Sequence, residues 1–175
     1  RLITQFNIER DSLEIWVNDR KRMPDTLHLY VDYLKTDTLG TLSPFTEHVK
    51  LVAEKTESKS KSSRRDIKHE DTTCVMKVTA EPENVEQYGF GIEFNYPIIY
   101  ENFDSLTLTA TDPKQRDTKM KFNVERDSLN LRKYTLRPDG KLMPGYEYKL
   151  KVPYRKFRDI NGFYNDSLQV KVSLP

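Results

Sequence analysis

Alternation of apolar and polar side chains is the feature that most constrains this chain. Leu13, Ile15 and Val17 are separated by Glu14 and Trp16, and Leu27, Leu29, Val31 and Tyr33 by His28, Tyr30 and Asp32. The same rhythm returns in Tyr146, Tyr148, Leu150 and Val152, and again in Leu168, Val170 and Val172. A period of two puts one set of side chains on each face of a strand, so these runs predict half-buried strands. Further strands are expected over 2–8, 48–53, 74–80, 89–96, 106–110, 120–125 and 129–136. Asp37-Thr38-Leu39-Gly40, Pro138-Asp139-Gly140 and Asp159-Ile160-Asn161-Gly162 supply turns between them. No segment carries a 3.6-residue period of helical length. The expected fold is all-β. Seven or so short strands after residue 72 predict an immunoglobulin-like β-sandwich of antiparallel sheets, with tandem units in the chain as a whole.

The aromatic and β-branched residues that supply the core suit strands better than helices. Lys and Arg number 29 against 27 Asp and Glu, a formal charge of +2, and the two signs are interspersed. That balance argues against a nucleic-acid partner, whose recognition calls for a basic face or arm. No apolar run reaches the roughly 18 residues that would suggest a membrane-spanning helix. The single cysteine, Cys74, excludes an intrachain disulfide and a thiolate metal cluster. It lies in the alternating run 74–80 and is expected to be buried packing. The sequence opens at Arg1 without an initiator Met or signal peptide, as a processed or excised product would.

Two features set the expected domain organisation. Residues 54–71, EKTESKSKSSRRDIKHED, hold one aliphatic hydrophobe, Ile67, and cannot offset the entropy of ordering themselves. They read as a polar, basic linker. The second feature is a repeat: Phe6-Asn7-Ile8-Glu9-Arg10-Asp11-Ser12-Leu13 recurs as Phe122-Asn123-Val124-Glu125-Arg126-Asp127-Ser128-Leu129. Downstream, Met23-Pro24-Asp25 and Met143-Pro144-Gly145 each precede an alternating strand. Residues 72–175 are expected to be a complete sandwich. Residues 1–53 are expected to be the C-terminal portion of a first one, the alternative being that they form a partner sheet against the second unit.

No catalytic constellation stands out, and the chain is expected not to be an enzyme. His28, His48 and His69 share no metal-ligand spacing, and neither HExxH nor CxxC is present. No nucleophile-elbow motif is found. The 27 acids could place two carboxylates at a glycosidase separation, but none is singled out as a pair. Asp159, Asn161, Asn165 and Asp166 gather oxygen atoms in one stretch, and Asp37 precedes Gly40. Neither segment fits an EF-hand, and Asx turns explain both more simply than calcium. No cofactor or metal is expected.

The stretch from Met143-Pro144-Gly145-Tyr146 through Val152, with Phe157-Arg158-Asp159-Ile160-Asn161-Gly162 and the final strand 166–173, resembles the end of a bacterial Ig-like domain. In that family a Pro-Gly turn leads into a Tyr-rich strand, an Asp-x-x-Gly turn and the last strand. More narrowly, the chain resembles the tandem Ig-like modules of Bacteroidetes cell-envelope lipoproteins. It shares their Asp-Thr-Leu strand start at Asp25-Thr26-Leu27, the Tyr33-x-x-x-Asp37-x-x-Gly40 turn and the Lys/Ser-rich spacer. The resemblance implies a secreted module at the extracellular face or in the periplasm, anchored to the outer membrane by a segment elsewhere. Its expected role is structural or protein-interacting, with other domains of the same parent or envelope proteins as partners. A carbohydrate-binding module using exposed aromatics is the alternative, with Trp16, Tyr30, Tyr96 and Tyr100 as candidate glycan contacts. A calcium-stabilised adhesin-type module is a second alternative. The resemblance also implies O-glycans on Asp-Ser/Thr followed by a small or aliphatic residue. That marks Ser12, Thr26, Thr38, Thr72, Ser105, Ser128 and Ser167, although turn capping by such pairs explains most of them. Asn165-Asp166-Ser167 in addition fits the N-linked sequon.

Overall fold

The computed structural model describes residues 2–17, 24–53 and 72–175. The expected linker at 54–71, with its basic run and His69, lies outside the described residues. Contacts group residues 2–17 with 72–175 and leave 24–53 as a second unit. This division differs from the expected one, which kept 1–53 together.

The second unit is a two-stranded hairpin. In chain order the strands are β1 (Leu2–Phe6), β2 (Leu13–Val17), β3 (Thr26–Thr36) and β4 (Leu42–Val52). β3 and β4 pair antiparallel from Thr26↔Val52 to Thr36↔Leu42. Leu27, Leu29 and Val31 are half-buried while His28, Tyr30 and Asp32 are exposed, as the alternation predicts, but Tyr33, expected on the first face, is exposed. The turn between the strands is an Asx turn, where the Asp37 carboxylate accepts the Leu39 and Thr41 N–H groups at 2.8 Å each.

The larger unit continues with β5 (Met76–Thr79), the short helix α1 (Val85–Tyr88), β6 (Phe90–Phe94), β7 (Ile98–Glu101) and β8 (Thr107–Thr111). Then follow β9 (Asp117–Met120), β10 (Phe122–Arg126), β11 (Lys133–Pro138), β12 (Glu147–Val152), β13 (Phe157–Asp159) and β14 (Leu168–Ser173). Two four-stranded antiparallel sheets form, ordered β10-β11-β6-β5 and β14-β12-β8-β9. Read as A to G, these are the A-B-E-D sheet and the C-F-G sheet, with β9 as the added C′ strand. That is the immunoglobulin order. The all-β sandwich expected from the alternation is the observed fold.

Phe90, Ile92 and Phe94 of β6 and Leu136 of β11 are buried against Leu108 of β8 and Tyr148, Leu150 and Val152 of β12. Burying each such side chain stabilises the fold by about 1.5–3 kcal/mol. One end of the core is aromatic: Phe157 packs 5.1 Å from Phe94 and 4.9 Å from Phe103, and Tyr134 lies 5.1 Å from Phe103. This cluster fills space between the sheets without any inter-sheet disulfide, Cys74 being a buried free thiol.

The turn into β12 is a tyrosine corner. The buried Tyr148 hydroxyl accepts the Met143 N–H at 2.6 Å, and the same hydroxyl lies 3.5 Å from the Met143 carbonyl. This arrangement fastens the strand to the chain that crosses between sheets. Tyr148→Phe keeps the ring but leaves the Met143 N–H without its acceptor. Its expected effect is a loss of about 1–3 kcal/mol in urea unfolding. An unchanged midpoint would show that the hydroxyl contributes nothing to the corner.

The single strand expected over 120–125 is two strands in different sheets: Met120 pairs with Leu108, Phe122 pairs with Pro138, and Lys121 links them. The repeated octapeptide does not repeat in conformation. In the first copy Phe6 ends β1 and Asn7–Ser12 form the turn, with Asn7 Oδ1 accepting the Asp11 and Ser12 N–H groups. In the second copy Phe122–Arg126 are strand β10, and the turn starts only at Asp127, whose carboxylate accepts the Leu129 and Asn130 N–H groups.

Candidate functional site

β1 and β2 pair only with each other among the described strands, yet the hairpin is tied to the sandwich through one carboxamide. Gln5 Nε2 donates to the Leu129 carbonyl at 2.8 Å, and Gln5 Oε1 accepts the Leu131 N–H at 2.9 Å. A side-chain amide thus imitates a backbone pair. Beside this contact lies a cleft of about 410 Å³, lined in part by Ile3, Ile98, Tyr100, Glu101, Arg126 and Lys133. Arg126 forms an ion pair with Glu101 in its wall. Tyr134 also lines it, and its hydroxyl is pushed up to about 12 by burial and by the Glu101 charge. A second hollow, of about 590 Å³, lies where the two octapeptide copies approach, between Phe6–Ile8 and Ser128–Leu129.

The candidate glycan contacts are not brought together. Tyr100 is about half exposed, at 48%, and lines the cleft. Tyr96 is half-buried in the loop before β7. Trp16 is half-buried on β2, opposite Ile3 in the register. Tyr30, at 69% the most exposed of the four, belongs to the β3–β4 unit and stacks on His48. Of the candidate modification positions, Ser12, Thr38, Thr72, Ser128 and Ser167 are exposed, while Thr26 and Ser105 are half-buried.

The oxygen-rich segment 159–166 is occupied by its own backbone. Asp159 is 2% exposed, and its Oδ1 accepts the Asn161 and Phe163 N–H groups at 2.9 and 3.1 Å. Asn165 is fully buried. Its Oδ1 accepts the Lys156 and Phe157 N–H groups at 2.8 Å each, and its Nδ2 donates to the Pro153 and Asp166 carbonyls at 2.9 and 2.8 Å. All four hydrogen bonds a carboxamide can make here are made. This removes the N-linked sequon as an acceptor in the folded chain, since its Asn165 nitrogen faces two carbonyls inside the protein. The calcium alternative weakens for the same reason, because these oxygens face N–H groups. Among the described residues no cluster of three or more His, Cys, Asp or Glu is arranged to hold a metal.

Set against protein-family models, curated proteins and solved structures, the chain matches none.

Cys74 is 3% exposed, and its N–H donates to the Tyr164 carbonyl at 3.0 Å. Burial and, next, the charge of Asp159 push its thiol from the ordinary 9.0 to about 12. It is therefore a protonated packing group at neutral pH and a poor nucleophile. The raised value has a stability consequence. Between pH 9 and 12 the unfolded chain ionises this thiol while the folded chain keeps its proton, so stability falls as pH rises through that window. Thermal melts at pH 8 and pH 10.5 are expected to differ less in Cys74→Ala than in the wild type. Equal declines in both would contradict the assignment.

One pairing was not visible in the spacing of the histidines. His28 Nδ1 lies 2.8 Å from His48 Nε2. His28 is in register with Lys50, and His48 with Tyr30, so the two imidazoles are diagonal neighbours across β3 and β4. Twenty residues of sequence separate them, and only the strand register joins them.

Proposed function

We propose that this chain is a non-catalytic structural module of a secreted or cell-envelope protein, spacing or presenting other parts of its parent. The observation that carries the proposal is the use made of the polar side chains at the 153–166 end of the sandwich. Asp159 and Asn165, both buried, are engaged with backbone N–H and carbonyl groups of their own loop. Such groups shape a loop and are not available to react. The resemblance to bacterial Ig-like envelope modules, carried by residues 143–173, agrees with this role and supplies the expected location outside the cytoplasm. The exposed hydroxyls at Ser12, Thr38, Thr72, Ser128 and Ser167 are where that resemblance would put O-glycans.

The test is replacement. Exchanging the module in its parent protein for an unrelated sandwich of similar span should leave the parent's activity intact. Loss of that activity, with the hybrid folded and exported, would reject a purely structural role.

A second reading, glycan recognition, is favoured by one observation: Tyr100 presents half its surface in a cleft that also carries Glu101, Arg126 and Lys133. Aromatic faces beside charged hydrogen-bonding groups suit sugar rings. Saturable binding on a glycan array, lost in Tyr100→Ala and retained in Trp16→Ala and Tyr30→Ala, would establish it. Silence on the array, or binding indifferent to Tyr100, would leave the structural role.

A further inference from the structure

We propose that His28 and His48 form a two-imidazole site for a borderline divalent transition ion of the Cu²⁺ or Ni²⁺ class. Both side chains are exposed, so an ion and its remaining water ligands have access. Their facing nitrogens, His28 Nδ1 and His48 Nε2, are 2.8 Å apart. Two nitrogens bound at about 2.0–2.1 Å and at a right angle to each other stand about 2.9 Å apart, as in square-planar or octahedral complexes. A tetrahedral zinc would need about 3.3 Å. The observed separation therefore matches tetragonal coordination, once the two rings, whose nitrogens now face each other, turn to aim both at one ion.

The surrounding structure positions this pair. The imidazole planes are 15° apart with centroids 5.0 Å apart, so the two nitrogens meet nearly head-on across one shared hydrogen. A binding ion takes the place of that proton, which the donor ring regains at its other nitrogen through solvent, so that both rings stay neutral, and each ring turns about its Cβ–Cγ bond, a broad torsion for histidine. Tyr30, directly opposite His48 in the register, stacks on it with centroids 4.6 Å apart and planes 10° apart. That contact limits the orientations His48 can adopt. Imidazole is a preferred ligand for these ions, and the Irving–Williams order puts copper above its neighbours. Among the described residues, Lys50 stands in register with His28 on the same face and opposes the ion's charge. Asp32, also on that face, is engaged with the Thr46 hydroxyl at 2.6 Å.

The experiment is a titration of the whole chain with CuSO₄ or NiCl₂, read by electron paramagnetic resonance for copper and by the imidazole NMR signals of each histidine. One ion per chain is expected, with two-nitrogen coordination and with the His28 and His48 signals responding together. His28→Gln and His48→Gln should each lower the apparent affinity at least tenfold, and His69→Gln should leave it unchanged. Both substituted positions are exposed, and an unchanged thermal melt verifies that the variants remain folded. Undiminished one-to-one binding in the double variant, or no response of the His28 and His48 signals at equimolar copper, would overturn the proposal.

Discussion

Asn165→Ala is expected to destabilise the chain by about 3–5 kcal/mol, the largest loss from any single polar side chain considered. Alanine leaves the N–H groups of Lys156 and Phe157 and the carbonyls of Pro153 and Asp166 without the partners that Asn165 now supplies. The site is fully buried, so water does not replace the carboxamide without opening the loop. Leaving each such group unsatisfied costs about 1–3 kcal/mol, and partial relaxation keeps the total below the simple sum. Each kcal/mol moves the midpoint of a chain this long by roughly 2–4 °C, so a thermal melt resolves the effect easily. Asn161→Ala is the control. In that turn Asn161 contributes its backbone N–H, which the substitution preserves, and the change should stay within about 0.5 kcal/mol. A loss below about 1 kcal/mol for Asn165→Ala would mean that the loop keeps its shape without the carboxamide.

Gly89→Ala should be nearly as damaging, for a steric reason. Gly89 follows α1 with φ +72, and a Cβ there would stand 2.4 Å from the Leu136 carbonyl oxygen. Leu136 belongs to β11, in register with Phe90, so the oxygen cannot retreat without disturbing the pairing of two central strands. The left-handed conformation costs a non-glycine residue about 1–3 kcal/mol, and the overlap adds a similar amount. A total of about 2–5 kcal/mol is expected from urea unfolding. Gly140→Ala separates the two contributions. That glycine also has positive φ, +121, but open space surrounds its missing Cβ, so backbone strain alone applies. If both variants lost equal stability, the clash with Leu136 would not be a determinant of the fold.

The strands were legible wherever one face met a core and the other met water. β12 and β14 show their faces directly in the alternation of Tyr146 to Val152 and Leu168 to Val172, while β3 alternates between half-buried and exposed from Leu27 to Asp32 with no side chain fully buried. The break at Lys121 was hidden by that same rule. Met120, Phe122 and Val124 continue an unbroken period of two, because both sheets turn their inner faces to a common core. The chain can change sheets without changing its pattern. β7 and β13 leave no clear alternation because they are short, and their register shifts between Arg158 and Asp159.

The octapeptide marks the limit of reading local sequence. Phe6–Leu13 and Phe122–Leu129 differ only in Ile for Val, yet one copy folds as a turn and the other begins as a strand. Strand preference depends on what lies across the ladder, and β10 has β11 beside it from Phe122 onward while β1 has β2 only up to Phe6. Candidate sites were less legible than strands for a related reason. The Asp159 and Asn165 turns could be guessed from residue type, because Asx side chains cap their own loops. The meeting of His28 with His48, and of Tyr100 with Arg126 and Lys133, depends on register and sheet packing that no spacing along the chain encodes.

Hydrogen exchange at the 153–166 end reads out whether its polar side chains serve the architecture. If Asn165 and Asp159 hold the loop as described, the amides of Lys156, Phe157, Asn161 and Phe163 should exchange as slowly as those in the middle of β12. Exchange at the rate of an open loop, with β12 still protected, would contradict the account and return those side chains to the pool available for a ligand.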